Sequence, residues 1–299
     1  MTRRCEKNRR EPRASPTLLT NRRPALRRND CEEMADDRVS QRIRMNVYVS
    51  LTTIKQNEAR VVETLQSMAA QTQLPDKCFI FLSETPYLLD PGFTNGTIGS
   101  QLSEFMKSNP LFELRWCPNT GPFRKLLPLL EEKFDENCLI ITIDDDTVYT
   151  ATLLEKIVGD FNRYKCCTGN WALTLRHDGD VRGLNYENFA HPISNYLYNF
   201  HLGKGGVAYH PSFFRKTRNI MFDNDLIKET CPTNDDVWFN FMRIANGISC
   251  HSDNISYMTK DNTNAHTALW SNFNARNRTN SKYMRATVDL LISEGLLTE

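Results

Sequence analysis

The chain has 299 residues, 40% hydrophobic and 24% charged, which allows a sizeable buried core and excludes a fibrous or wholly disordered protein. Its net charge of +1 is unevenly spread: residues 1–44 hold 13 Arg/Lys against 7 Asp/Glu, the remainder 24 against 29. The main body is therefore mildly acidic and gives no electrostatic basis for nucleic-acid binding.

No stretch reaches the ~18–20 continuous apolar residues of a transmembrane segment, and no apolar core follows the basic N-terminus as it does in a signal peptide. Nine cysteines, odd in number and without a CxxC pair, point to a reduced, cytoplasmic chain. In that compartment the sequons at Asn95, Asn254 and Asn277 carry no glycan.

Residues 1–44, rich in Arg and interrupted by Pro12, Pro16 and Pro24, read as a disordered basic arm ahead of a single globular domain over 45–299. Residues 46–53 predict a strand running into a polar turn. The spacing of Val61, Val62, Leu65, Met68 and Ala69 then predicts a helix over 59–71. A second strand is expected over 77–83, a Pro- and Gly-rich loop over 85–99, a short helix over 101–107 and a third strand over 111–116. Past Gly121-Pro122 a helix over 123–134 turns Leu126, Leu127, Leu130 and Phe134 inward, with Pro128 in its first turn.

Next comes Cys138-Leu-Ile-Ile-Thr-Ile-Asp144-Asp145-Asp146-Thr147. Apolar on both alternating faces, the run reads as a buried parallel strand tipped by three carboxylates. Thr152 and Glu155 have the spacing of a capping box opening a helix through Phe161. Strands alternating with helices over 46–161 predict an α/β fold with a mostly parallel central sheet flanked by helices. Residues 166–175 read as a strand, and 176–202 have no clear period. Gly205-Gly206, in a turn entering a strand, open no helix; they allow close approach to a ligand or to another strand. Thr233 predicts the N-cap of a helix with Val237, Trp238, Phe241, Met242, Ile244 and Ala245 on its apolar face, closed by a left-handed Gly247.

Carboxylates at the carboxyl end of a parallel strand fall in the crevice where open α/β sheets bind ligands. Three adjacent charges repel and are offset most simply by a hard divalent cation, which usually also grips phosphate oxygens. A solvated turn is the plainer account of the same triplet. Asp235 and Asp236 would stabilise the macrodipole of their helix in any case; facing the crevice, one of them could act as a general base.

Together, Ser50-Leu-Thr-Thr-Ile54, residues 65–77, Phe123-Arg-Lys-Leu-Leu-Pro128, Ile143-Asp-Asp-Asp146, Pro232-Thr-Asn-Asp-Asp-Val-Trp238 and Ala268-Leu-Trp-Ser-Asn-Phe-Asn274 resemble family 2-type glycosyltransferases with the GT-A fold, of an uncharacterised bacterial and viral subgroup. The resemblance spans about residues 46–275. It implies a GT-A-like, Rossmann-like domain with a nucleotide-sugar half over 45–150 and an acceptor half with a C-terminal helix over 151–299. It also implies transfer of a hexosyl or deoxyhexosyl group, with inversion, from a nucleotide-sugar donor to a glycan or other hydroxyl acceptor, using Mn²⁺ or Mg²⁺ on a DxD motif. By position, Asp146 and Asp144 would hold the metal, with His266 or His251 as a third ligand. Thr52, Thr53, Glu84 (or Ser83), Lys125, Asp144 and Asp145 would line the nucleotide-sugar pocket. Asp236, with Asp235, would supply the base, and Gly205, Gly206 and Trp238 would border the acceptor. The family's first turn commonly continues with Pro and Arg where this chain has Lys55 and Asn57, so an Arg contact there would fall to Lys55 or Arg60.

Two other readings stay open. Ile141-Thr-Ile-Asp144-Asp-Asp146-Thr-Val148 also resembles the motif of haloacid-dehalogenase-type magnesium phosphatases, with Asp144 as nucleophile and Asp146 as acid/base. That motif normally sits on the first strand of its domain, whereas about a hundred residues of α/β pattern precede it here. The third reading is a non-catalytic carbohydrate-binding relative.

Overall fold

Apolar side chains on both faces leave residues 138–142 no stable place but the middle of a sheet. In the computed structural model, which describes residues 45–176, 179–275 and 278–298, that is where they lie, every one buried. The basic arm expected over 1–44 falls outside the described residues, which belong to one compact unit, Met45–Glu299.

The chain runs β1 (Asn46–Thr52), α1 (Glu58–Ala69), β2 (Lys77–Leu82), α2 (Ser100–Ser108), β3 (Phe112–Trp116), α3 (Leu127–Glu132) and β4 (Cys138–Thr142). There follow β5 (Thr147–Tyr149), α4 (Leu153–Tyr164), β6 (Cys167–Gly169), β7 (Ala172–Leu175), β8 (Phe189–Ala190), β9 (Asn199–His201) and β10 (Val207–Tyr209). The last third holds α5 (Arg218–Met221), α6 (Asn224–Thr230), α7 (Asp235–Ala245), β11 (Cys250–His251), β12 (Met258–Asp261) and α8 (Thr279–Ser293).

The main sheet has seven strands in the order β11-β6-β10-β4-β1-β2-β3. β4, β1, β2 and β3 are mutually parallel, β10 runs antiparallel to β4 and β6, and β11 is parallel to β6. This is the helix-flanked, mostly parallel α/β sheet that the sequence pattern predicts. Helix α1 buries Val61, Val62, Leu65 and Met68, α4 buries Leu153, Leu154, Ile157, Val158 and Phe161, and nearly all of α7 is buried. Each such large apolar side chain contributes about 1.5–3 kcal/mol on leaving water.

Four local expectations change. The helix expected over 123–134 splits into a 3-10 turn, Gly121–Lys125, followed by α3. Pro128 falls in the first turn of α3, as expected, and its ring would clash with the carbonyl of residue 124 in a continuous α-helix. Thr152 makes no side-chain cap, and Glu155 accepts a 2.8 Å bond from Thr72 Oγ1 instead. The strand expected over 166–175 divides at Asn170-Trp171, β6 joining the main sheet and β7 a separate three-stranded one. The N-cap of α7 is Asn234, whose Oδ1 accepts the Val237 N–H at 3.0 Å, while Thr233 Oγ1 lies 2.6 Å from Asn274 Oδ1.

Gly247, with φ +74°, closes α7 in the left-handed conformation, and the Ile248 N–H reaches back to the Arg243 carbonyl. The buried Arg243 guanidinium donates to the carbonyls of Leu197 and Ile248, both at 2.8 Å, and of Asn199, so β9 is fixed against α7. The described cysteines are free thiols; burial pushes Cys138 up to about 12 and Cys166 to about 11, which makes them poor nucleophiles. Among the described residues no helix is long and apolar enough to cross a membrane.

Candidate active site

β1 and β4 lie side by side with Ser50 opposite Thr142. Residues just beyond their carboxyl ends therefore meet over one hollow, at the point where the strand order reverses. The hollow is a cavity of about 600 Å³, bordered by Thr52, Thr53 and Asp144 to Asp146 on the sheet side and by Asp235 and Asp236 from α7. Trp171, Tyr186 and Trp270 extend its wall.

The three aspartates of the β4 tip do not share one partner. Asp144 Oδ1 lies 2.9 Å from Lys125 Nζ, and its N–H donates to Tyr149 Oη at 2.9 Å. Asp145 Oδ2 accepts from Thr53 Oγ1 and, at 3.2 Å, from Asn57 Nδ2. Burial, reinforced by the neighbouring Asp146 charge, pushes the Asp145 carboxyl up to about 7 against the pull of those two donors. Asp146 is raised by burial and by the Asp144 charge, with Lys204 and Thr263 opposing. The Lys125 ammonium offsets part of the charge of the triplet, at Asp144.

Lys125 joins the two acid clusters. Its Nζ lies 2.7 Å from Asp235 Oδ2 as well as 2.9 Å from Asp144 Oδ1. Burial alone would lower its pKa, but the charges of Asp144, Asp235 and Asp236 outweigh that and hold it well above the ordinary lysine value. The lysine ends the 3-10 turn Gly121–Lys125, just ahead of α3.

Asp236, in the first turn of α7, accepts the Gly203 N–H on Oδ1 at 3.0 Å. Burial and then the adjacent Asp235 charge raise it to about 7, with Lys125 opposing. Asp236 borders the cavity. Gly203 is required by proximity: a Cβ there would stand 2.6 Å from Lys125 Nζ and 2.7 Å from Asp236 Oδ1. Gly203→Ala is expected to displace both groups and lower turnover by up to about 100-fold. The readout is turnover, with a thermal melt showing that the fold survives.

Of the residues singled out in the sequence, Thr52, Thr53, Lys125, Asp144, Asp145, Asp146, Asp235 and Asp236 border this one cavity. Five do not. Glu84 is exposed and lies against Gly96. Gly205 backs onto Trp171, and Gly206, with φ +75°, faces Leu153 and Ile157, so both glycines pack against neighbouring elements. Trp238 is fully buried, its indole N–H donating to the Met221 carbonyl at 3.2 Å, because the apolar face of α7 points into the core. His266 is exposed on the 262–275 segment and does not reach the cavity; His251 is buried at the sheet edge, away from it.

Sequence reasoning missed a buried ion pair beside the hollow. Arg124 Nη2 lies 2.9 Å from Asp90 Oδ2, and Asn119 Nδ2 adds a 3.1 Å bond to the same oxygen. The signal was Arg124 itself, adjacent to Lys125 in the quoted motif; Asp90 lies in a loop with no period to place it. Lys204 was missed as well: it reaches Asp261 Oδ2 at 2.8 Å and Thr263 Oγ1 at 2.7 Å, fixing the segment after β12 beside Asp146.

Neither a protein-family model nor the sequence of a curated protein matches this chain. Among solved structures, the chain is similar to S. aureus TarS 1–349 in complex with UDP, at 16% identity and TM-score 0.46, over 71% of this chain and 60% of that one. It is likewise similar to S. aureus TarS 1–349 in complex with UDP-GlcNAc, at 14% identity and TM-score 0.46, over 75% and 60%. A third is 4-diphosphocytidyl-2C-methyl-D-erythritol synthase, at 7% identity and TM-score 0.42, over 74% and 94%. The chain spans 60% of the length of the TarS 1–349 chains.

Proposed function

We propose that the cavity is the active site of a glycosyltransferase of the GT-A type, which takes a nucleotide-sugar and moves its sugar to an acceptor hydroxyl with inversion. What carries the reading is Lys125, whose ammonium holds Asp144 and Asp235 at 2.9 and 2.7 Å and so brings both acid clusters to one cleft. Such a reaction needs two charged stations: one for the leaving diphosphate and one for the proton of the incoming hydroxyl.

The donor set at the β4 tip fits a divalent cation such as Mn²⁺ or Mg²⁺, because two hard carboxylates completed by substrate oxygens and water are a usual environment for these ions. Asp146, with Asp144, would hold it; when bound, the ion offsets charge developing on the diphosphate. Asp145, engaged with Thr53 and Asn57, fixes the turn that presents its two neighbours. Lys125 lies where it can follow negative charge from Asp144 towards the leaving group. Asp236, oriented by the Gly203 N–H, takes the acceptor's proton on Oδ2. Its pKa of about 7 suits a base working near neutrality.

The test is thermal-shift and turnover measurement with UDP-, GDP- and dTDP-sugars in the presence of Mn²⁺. Stabilisation and nucleoside diphosphate release are expected with one nucleotide class, lost in Asp146→Ala and retained in Asp225→Ala, a change on the far-exposed Asp225 side chain. Phosphate release from simple monoesters without nucleotide preference would instead support the phosphatase reading. Cation affinity is expected to weaken on acidification, because the Asp146 carboxyl, raised by burial and by the Asp144 charge, takes up a proton that competes with the metal. Titration with Mn²⁺ between pH 6 and 8 measures this.

A further inference from the structure

His251 ends β11 at the edge of the main sheet, outside the cavity. Its side chain is only 2% exposed. Across from it, Asp160 projects from the third turn of α4, and Asp253 follows two residues later in the chain. One ligand atom from each of these three side chains lies within 4.8 Å of the others, and no other trio of His, Cys, Asp or Glu among the described residues does so.

A cluster of this kind is often a plain ion-pair group, so the state of the imidazole decides. Nδ1 stands 3.2 Å from Ser194 Oγ, and the ring stacks on Tyr164 with centroids 3.8 Å apart, so its plane is fixed. Nε2 is buried and lies 3.2 Å from Asp253 Oδ1, close enough for an ion pair but outside good hydrogen-bond geometry. With the ring proton on Nδ1, the Nε2 lone pair faces a carboxylate oxygen, a repulsion that a cation between them removes. In the tautomer that donates Nδ1–H to Ser194 Oγ, Nε2 faces the carboxylates as it does in metal-bound histidines.

The spot already draws positive charge: Lys156 Nζ lies 2.8 Å from both Asp160 Oδ2 and Asp253 Oδ2. Asp253, with half its side chain exposed, leaves a route in from solvent.

We propose that Asp160, His251 and Asp253 form a second cation site, separate from the cleft, that takes a divalent first-row transition ion such as Zn²⁺ and clamps the end of β11 to α4. One imidazole and two carboxylates suit zinc better than magnesium, which favours all-oxygen sites. Binding swings the Lys156 ammonium out to solvent, and water completes the coordination. The role is structural, since none of the three ligands borders the cavity.

The experiment uses the full chain carrying Asp146→Asn, so that the cleft contributes least, and measures bound Zn²⁺ by equilibrium dialysis. One zinc per chain is expected, with a rise in melting temperature. Asp253→Asn and Asp160→Asn should each weaken binding by at least about tenfold. Lys156→Met, which removes the competing ammonium but no ligand, should tighten it, a result that misfolding cannot mimic. In the Co²⁺ form, loss of the nitrogen ligand in His251→Gln should change the visible spectrum. Zinc binding unaltered by Asp253→Asn and Lys156→Met would overturn the proposal. So would ¹⁵N shifts showing Nε2 of His251 protonated whether or not zinc is present, for the group would then be an ion pair and nothing more.

Discussion

Asp236→Asn is expected to lower the rate of sugar transfer by roughly 10²–10⁴-fold, the usual range for removing a positioned general base. The asparagine carbonyl can still accept the Gly203 N–H, so position and donor affinity should change little. The pH profile separates a base from a merely structural acid. In the wild type, kcat/KM should rise with pH through about 7, as burial and the Asp235 charge set the Asp236 pKa there and the reactive form is the carboxylate. That limb should vanish in Asp236→Asn. An unchanged profile, or a loss confined to KM, would assign the proton to another group.

Lys125→Met is expected to have the largest effect on stability, about 3–5 kcal/mol by urea denaturation at pH 8, because it leaves Asp144, Asp235 and Asp236 facing one another without their shared cation. The sign of the pH dependence follows from the direction of the shift. Lys125 has a folded pKa above its unfolded value, so its contribution is complete below the ordinary lysine value of ~10.4 and is lost only as pH rises through the higher folded value. Between pH 6 and 9 the difference between variant and wild type should therefore stay flat on account of the lysine. Towards pH 4 it should shrink, because Asp235 and Asp236, both raised by burial, protonate and no longer need a partner. Asp145 and Asp236, raised to about 7, have their greatest stabilising effect below the ordinary carboxyl range and lose it as pH climbs through about 7. A Lys125→Met penalty that grew on acidification would contradict the arrangement.

The β-strands and the acid tip were legible because their signals are local. Residues 138–142 are apolar on both faces, and such a run has one stable place in an α/β sheet. The helices of the first half followed from their apolar stripes for the same reason. The site was half legible: eight singled-out residues converge on the cavity because they terminate elements whose direction the sequence sets.

The failures are those where a contact partner decides. Trp238 sits two residues from the proposed base, and the roughly 200° of helical rotation between them turns the indole into the core while Asp236 borders the cleft. In the Gly-Lys-Gly-Gly run, Gly203 lies against Asp236 and Lys204 borders the cavity, while Gly205 and Gly206 pack against Trp171 and α4. The Asp90–Arg124 pair joins residues 34 apart through a loop, which no periodicity encodes.

The central claim is that the β4 carboxylates share a cation with a diphosphate inside the cleft. Crystals grown with Mn²⁺ and the nucleoside diphosphate selected by the thermal-shift screen, measured at the manganese edge, address it directly. The account predicts an anomalous peak beside the Asp146 and Asp144 carboxylates, with diphosphate oxygens on its far side and Lys125 still bound to Asp235. Manganese elsewhere, or a nucleotide seated away from the β4 tip, would contradict it.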